Sequence, residues 1–295
     1  MDHHYVPKFL IRRWTNDGGR TYSVTVRGGE VFVSAVSPKG TGFEPDLYSL
    51  PVSHLECDRH VVETDFFQFI DNGAANALQA VERQRLIDKE QCDWWAVFLS
   101  SLRMRQQDVI EALRTHGPRL YRDTLAAVDA ESPPPGSWTT EQWIDHHFPG
   151  EFEATPIAKW LVESIVSPTS VERFSRLIWR FYELSDGSAP LLLSDRPLLF
   201  EALAESGDWI SILPIAPNRL FLGATSDKAI GLIEAQNITS FVERINIASL
   251  AQSGSRLWAA DPIHAKTFVQ ANVSIFGINR SDFGDIISSA INRMK

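Results

Sequence analysis

Two histidines, His3 and His4, and two arginines, Arg12 and Arg13, are set into an otherwise apolar opening segment with Tyr5, Val6, Phe9, Leu10, Ile11 and Trp14. Burying the apolar members fixes where the polar ones point, so this start predicts an anchored segment where most chains carry a loose end. Pro7 biases Val6 towards an extended backbone, which projects His4 and Val6 to one side and Tyr5 to the other. A neutral imidazole at His4 can ligate a metal or act as a general base, and an imidazolium there can hold a phosphate. The competing reading is a histidine that ties the segment to a backbone carbonyl. His3 is expected to be its solvent-exposed neighbour.

Arg105 falls on an apolar helical stripe marked by Phe98, Leu102, Val109 and Leu113. A guanidinium there needs a carboxylate partner or a polar cleft, because unpaired burial is costly; failing both, its stem covers apolar surface and its head reaches water. Glu63 and Asp195 are the expected partners. Glu63 and Asp71 lie on the preceding helix, about 12 Å apart along its axis and within a quarter-turn of one face. They can line one groove without chelating one ion. Asp195 follows the apolar run Leu191–Leu193, where a buried strand ends and the chain turns. Alone, each of these carboxylates also fits a solvated helical face or a self-capped turn.

Residues 21–26 and 30–36 are β-rich runs on either side of Arg27-Gly28-Gly29, which suits a tight hairpin. Residues 37–53 read as an irregular loop that carries Glu44 and Tyr48. Helical spacing predicts helices over about 58–85 and 91–121, and again at 140–147, 157–166, 171–184 and 238–252. Short strand-like runs follow at 190–193, 209–213 and 219–223. Strands grouped on either side of a helical middle predict an α+β fold with a small N-terminal β-hairpin and a C-terminal group of mainly antiparallel strands. A single globular domain over 1–295 is expected, with residues 129–137, rich in proline, as an exposed linker.

Composition narrows the function classes. The 295 residues are 44% hydrophobic, with nine Trp and 17 Phe, enough for a specifically packed aromatic core. Cys57 and Cys92 are too few for a disulfide framework or a zinc cluster, which fits a reducing cytoplasm. No apolar run approaches the roughly 20 residues that span a bilayer, so no membrane association is expected. A net charge of −9 argues against binding nucleic acid by bulk electrostatics, but residues 1–28 carry five Lys/Arg against two Asp, and residues 101–122 five Arg against one Asp and one Glu. Those basic patches leave room for a nucleic acid or nucleotide partner. The Gly-rich phosphate loops, the nucleophile elbow and the His-Glu-x-x-His zinc signature are absent.

His4-Tyr5-Val6-Pro7 and Arg12, the Glu44…Tyr48 loop, the acidic helix from Glu63 to Asp71, Arg105, Ser194-Asp195-x-Pro197 and Leu213–Pro217 followed by Asn246 together resemble a bacterial family. It is marked by a His-Tyr-Val-Pro start, catalogued as a domain of unknown function and also found near mobile elements. The resemblance covers most of the chain in scattered blocks. Leu102 stands where relatives often have Gln, Gln106-Gln107 where they have Thr-Pro, and Asp71 where they have Glu. The inventory of one histidine, several carboxylates and two arginines suits a metal-dependent phosphoester hydrolase, such as a nuclease in a defence or toxin setting. In that reading Glu44, Glu63 and Asp71 hold Mg or Mn, His4, Asp195 and Arg105 are catalytic, and Arg12, Tyr48 and Asn246 bind substrate. Two alternatives stand beside it: a non-catalytic interaction module with a buried Arg105–Asp195 pair, and a nucleotide-binding regulatory protein.

Overall fold

The computed structural model describes residues 1–51, 58–83, 87–185, 187–203 and 207–278; Cys57 and residues 84–86, where the helix expected over about 58–85 ends, lie outside them. The opening segment forms strand β1 (Asp2–His4), helix α1 (Lys8–Ile11) and a tight turn over Arg12–Trp14. The predicted hairpin follows as β2 (Thr21–Arg27) and β3 (Glu30–Val36), with Gly28 and Gly29 at φ of 58° and 83°. That conformation is what a two-residue hairpin turn needs. Strand β4 (Phe43–Pro45) lies inside the stretch read as loop and pairs antiparallel with β1, His3 opposite Glu44 and His4 opposite Phe43. Strands of three residues are too short to carry a periodic signal.

A π-helical stretch over Val62–Phe67 leads into α2 (Gln68–Glu82), which packs on α3 (Lys89–Met104). Gly73 lets them approach, since a Cβ there would come within 2.6 Å of the Trp94 ring. The single helix predicted over 91–121 is broken: Gln106 is extended, with ψ of 148°, before α4 (Gln107–Glu131) begins. The Tyr48 hydroxyl donates to the Arg105 carbonyl at 2.7 Å and Gln106 Nε2 to the Leu102 carbonyl at 2.8 Å, so side chains take acceptors that a continuing helix would use. Neither glycine nor proline marks the break, which is why the pattern reads as continuous.

Residues 129–131 of the expected linker are helical, and the Asp129 carboxylate accepts the Thr140 N–H at 2.7 Å, tying α4 to α5 (Thr140–His147). The chain continues through α6 (Glu151–Thr155), a π-helical stretch over Pro156–Leu161, α7 (Val162–Val166) and α8 (Pro168–Ser175). The helix predicted to reach 184 stops at Ser175, and Ile178–Glu183 forms strand β5. Its aromatic run, Trp179, Phe181 and Tyr182, suits a strand packed on a sheet face, and pairing with a neighbour decides the outcome.

Strands β6 (Leu193–Ser194), β7 (Leu199–Ala202), β8 (Trp209–Ala216) and β9 (Arg219–Ala224) follow, then α9 (Asp227–Glu234), α10 (Ile238–Gln252), β10 (Leu257–Ala259) and α11 (Pro262–Ala271). Two four-stranded antiparallel sheets result, ordered β5-β9-β8-β7 and β3-β2-β10-β6. The second joins the N-terminal hairpin to β10 and β6 from the C-terminal part of the chain. The fold is α+β, as the sequence predicts. One core cluster runs from Tyr5, Leu10 and Trp14 through Tyr48, Phe67, Trp95 and Phe98 to Phe221 and Trp258. Among the described residues no helix is long and apolar enough to cross a membrane.

Candidate functional site

β1 directs its two histidines to opposite faces, and both are buried. The expectation that His3 is exposed is corrected: it is 0% exposed and stacks on Tyr48 with ring centres 5.6 Å apart. Its Nδ1 accepts the Tyr48 backbone N–H at 2.8 Å, so in the neutral ring Nε2 carries the proton and donates to His60 Nδ1 at 3.1 Å. Burial, followed by the neighbouring His60, lowers the His3 pKa to about 4. His3, Asp46 and His60 lie close enough to be metal ligands. Ligation through His3 Nε2 would leave both ring nitrogens without a proton, so this donor set fits a hydrogen-bond relay better than a cation.

On the other face, the His4 backbone N–H donates to Glu63 Oε1 at 3.2 Å and the His4 ring lies 5.4 Å from Phe43. Among the described residues neither ring nitrogen of His4 meets a partner at full hydrogen-bond geometry, although the Asp2 and Lys39 backbones act on the ring, and Glu63 Oε2 has no partner. Burial, then the charge of Lys8, lowers the His4 pKa to about 4, and burial raises Glu63 to about 7. Lys8, on α1, acts on both groups and escapes the sequence reading because a lone surface lysine carries no signal.

Arg105 is fully buried at the α3–α4 break and pairs with Asp71, not with Glu63 or Asp195 as expected: the two guanidinium nitrogens meet the two carboxylate oxygens at 2.8 and 3.2 Å. Ser101 Oγ accepts a further bond at 2.8 Å and the Phe67 ring lies 4.5 Å beneath the guanidinium carbon. Both oxygens of Asp71 are thus committed to a cation already present. Glu44 accepts from Gln107 Nε2 at 2.5 Å at the rim. Tyr48, Arg105 and Asp71 are hydrogen-bonded around the break, His4 and Glu63 form a second bonded pair within electrostatic reach of Arg105, and Glu44 lies at the rim.

The remaining residues lie elsewhere. Arg12 is exposed at the end of the opening turn. Asn246 on α10 clamps the backbone, accepting from Leu192 N–H at 2.9 Å and donating to the Pro190 carbonyl at 3.0 Å. Asp195 accepts from the N–H groups of Gly254, Ser255 and Arg256 at 2.8, 2.6 and 3.0 Å and from the hydroxyls of Ser253 and Ser255. Its charge is spent on a turn, not offered to a ligand. The expected metal set of Glu44, Glu63 and Asp71 therefore does not present three uncommitted carboxylates to one point.

What the sequence reading passed over is a cleft of about 870 Å³ where the end of α3 meets α8, α10 and the β7–β8 edge. Arg103, Arg173, Arg196 and Arg244 line it over an apolar wall that includes Phe200 and Trp209. The Arg103 guanidinium carbon lies 4.8 Å from the centre of the Phe200 ring, and burial together with Arg173 lowers its pKa. Arg196 meets Asp108 at 2.8 Å, and Arg244 meets Gln236. Arg103 and Arg105 are two positions apart, about 200° around a helix, so the break presents one arginine to the cleft and one to the core. Two signals were available: Arg103 belongs to the basic stretch 101–122, and Arg196 is the open position of Ser194-Asp195-x-Pro197. Neither says that segments so far apart share a wall.

A family model described as "Protein of unknown function (DUF4238)" matches residues 2–262. No curated protein and no solved structure matches the chain.

Proposed function

The chain belongs to that family, whose description assigns no activity, and from the geometry we propose that the protein binds a phosphorylated, ring-bearing small molecule of the nucleotide class in the arginine-lined cleft. One observation carries this reading: four arginines from four separate segments converge over an aromatic and aliphatic wall in a space of about 870 Å³. Ligand sites of small-molecule size are mostly apolar clefts of about 300–1,000 Å³ with a few placed polar groups. Guanidinium groups match phosphate oxygens in pairs, and a flat base can lie on Phe200 or Trp209. Calorimetric titration with nucleoside triphosphates and monophosphates, the nucleoside and inorganic phosphate tests it. The nucleotide should bind more tightly than either half alone. Arg103→Ala and Arg173→Ala should each weaken it by about 10- to 100-fold, the worth of one charge-assisted hydrogen bond. No binding of any of these ligands at millimolar concentration overturns the reading.

Hydrolysis of a phosphoester, including the nuclease activity expected above, is the second reading. It is favoured by the His4 ring and Glu63 Oε2, which lack a full hydrogen-bond partner among the described residues and belong to two largely buried groups with displaced pKa values of the kind that mark acid–base sites. Release of phosphate or cleavage of an oligonucleotide with Mg or Mn present, lost in Glu63→Gln, would support it. Tight nucleotide binding without turnover leaves the binding protein.

A further inference from the structure

We infer that the end of the molecule built from the C-terminal half of α4, the following loop and α5 is a docking face for a basic segment of a partner protein. Trp138, Trp143 and Phe148 are 44%, 47% and 43% exposed there. They do not stand singly. The ring centres of Trp138 and His146 are 4.8 Å apart, those of Trp143 and His147 4.7 Å, and those of Trp143 and Phe148 5.6 Å. Each ring is held by its neighbours, so the face exists before a partner arrives, and contiguous exposed apolar surface of this kind marks interaction sites. Trp138 also walls an open hollow with Gln142, Asp145 and His146.

Charge names the occupant. Residues 119–159 hold seven carboxylates against three cations, Arg119, Arg122 and Lys159, and Arg119 is paired with Asp123. Arg122 reaches in from α4 to meet Glu141 at 3.2 Å, Glu153 at 3.5 Å and Asp145 at 3.9 Å, one cation among three acids. An aromatic face with surplus negative charge repels nucleic acid and anionic lipid headgroups. It attracts guanidinium and ammonium groups, which lie on an indole face while pairing with a carboxylate. An arginine or lysine head on Trp138 would share the hollow with Asp145. This face is separate from the arginine-lined cleft, and its test is independent of nucleotide binding.

The test is fluorescence anisotropy with a labelled peptide rich in arginine and lysine, beside the same peptide carrying citrulline and norleucine at those positions. The basic peptide should bind, weaken as salt is raised, and lose about tenfold in affinity with Trp138→Ala or Asp145→Asn. Both side chains are exposed, so circular dichroism should show both variants folded; Trp143→Ala provides a second probe of the face. Equal binding of the neutral peptide, or unchanged binding in folded variants, overturns the proposal. So does self-association in sedimentation that Trp138→Ala abolishes, which would make the face a contact between copies. Trp138-dependent binding to anionic vesicles overturns it as well.

Discussion

Arg105 carries a charge with no exposed surface, held by the two oxygens of Asp71 and by Ser101. Removing one partner leaves an uncompensated buried charge, so Asp71→Ala should cost about 3–5 kcal/mol in urea unfolding. The double variant Arg105→Met with Asp71→Leu should recover most of that loss, because it removes the charge as well as its partner. Glu63 and His4 predict opposed responses to pH. Glu63 rises from 4.5 to about 7 on folding, so it favours the folded state fully below 4.5 and loses that contribution as pH climbs through 7. His4 and His3 fall from 6.5 to about 4, so theirs is present above 6.5 and lost as pH drops towards 4. Relative to the wild type, Glu63→Gln should therefore gain stability as pH rises from 4.5 to 7, by up to about 3 kcal/mol. A flat difference across that range would show that Glu63 titrates normally. The stripe made the burial of Arg105 legible, but periodicity gives a direction and not a partner. Glu63 and Asp71 share one helical face, and only the depth at which α2 meets α3 chooses between them.

At the scale of elements, the break between α3 and α4 organises both candidate sites, and Tyr48 is the side chain that closes it. Tyr48→Phe would leave the Arg105 carbonyl buried without its donor and should cost about 1–3 kcal/mol, read as a shift of the denaturation midpoint at constant slope. If binding in the arginine-lined cleft depends on where the break places Arg103, the same variant should also weaken it. The helices at 140–147 and 238–252 and the β2–β3 hairpin were legible because each has its own caps or turn residues: Thr139 with Gln142, Asn237, and Gly28-Gly29. The missed elements share one cause. β1, β4 and β5 are decided by strands far off in sequence, and the α3–α4 break by a hydroxyl 57 positions away.

Across the whole molecule, the main core cluster draws on residues from Tyr5 to Trp258, and β10 lies between strands from both halves. A core so shared cannot melt in halves. Thermal unfolding followed by near-UV and far-UV circular dichroism should give one coincident transition; two separated transitions would divide the chain into independent domains. The even composition along the chain was legible in the sequence, and the single domain it suggests is what this melt tests. The cleft was not, since its arginines come from four segments whose meeting depends on this same closure.

The closure also sets a clock for biosynthesis. Trp14 donates to the Leu191 carbonyl, Arg13 to that of Ile215, and Trp258 to Thr41, so these hydrogen bonds form only when a much later part of the chain exists. At about 5–20 residues per second, the 177 positions between Trp14 and Leu191 make a wait of about 10–35 s. Until α2 and α3 are made, Phe9 lacks Phe98 and α1 lacks α2, and the Trp14 indole waits longer still for its acceptor. In a cell this separates the packing of Phe9, which α3 can supply, from the hydrogen bond of Trp14, which waits for the chain around Leu191.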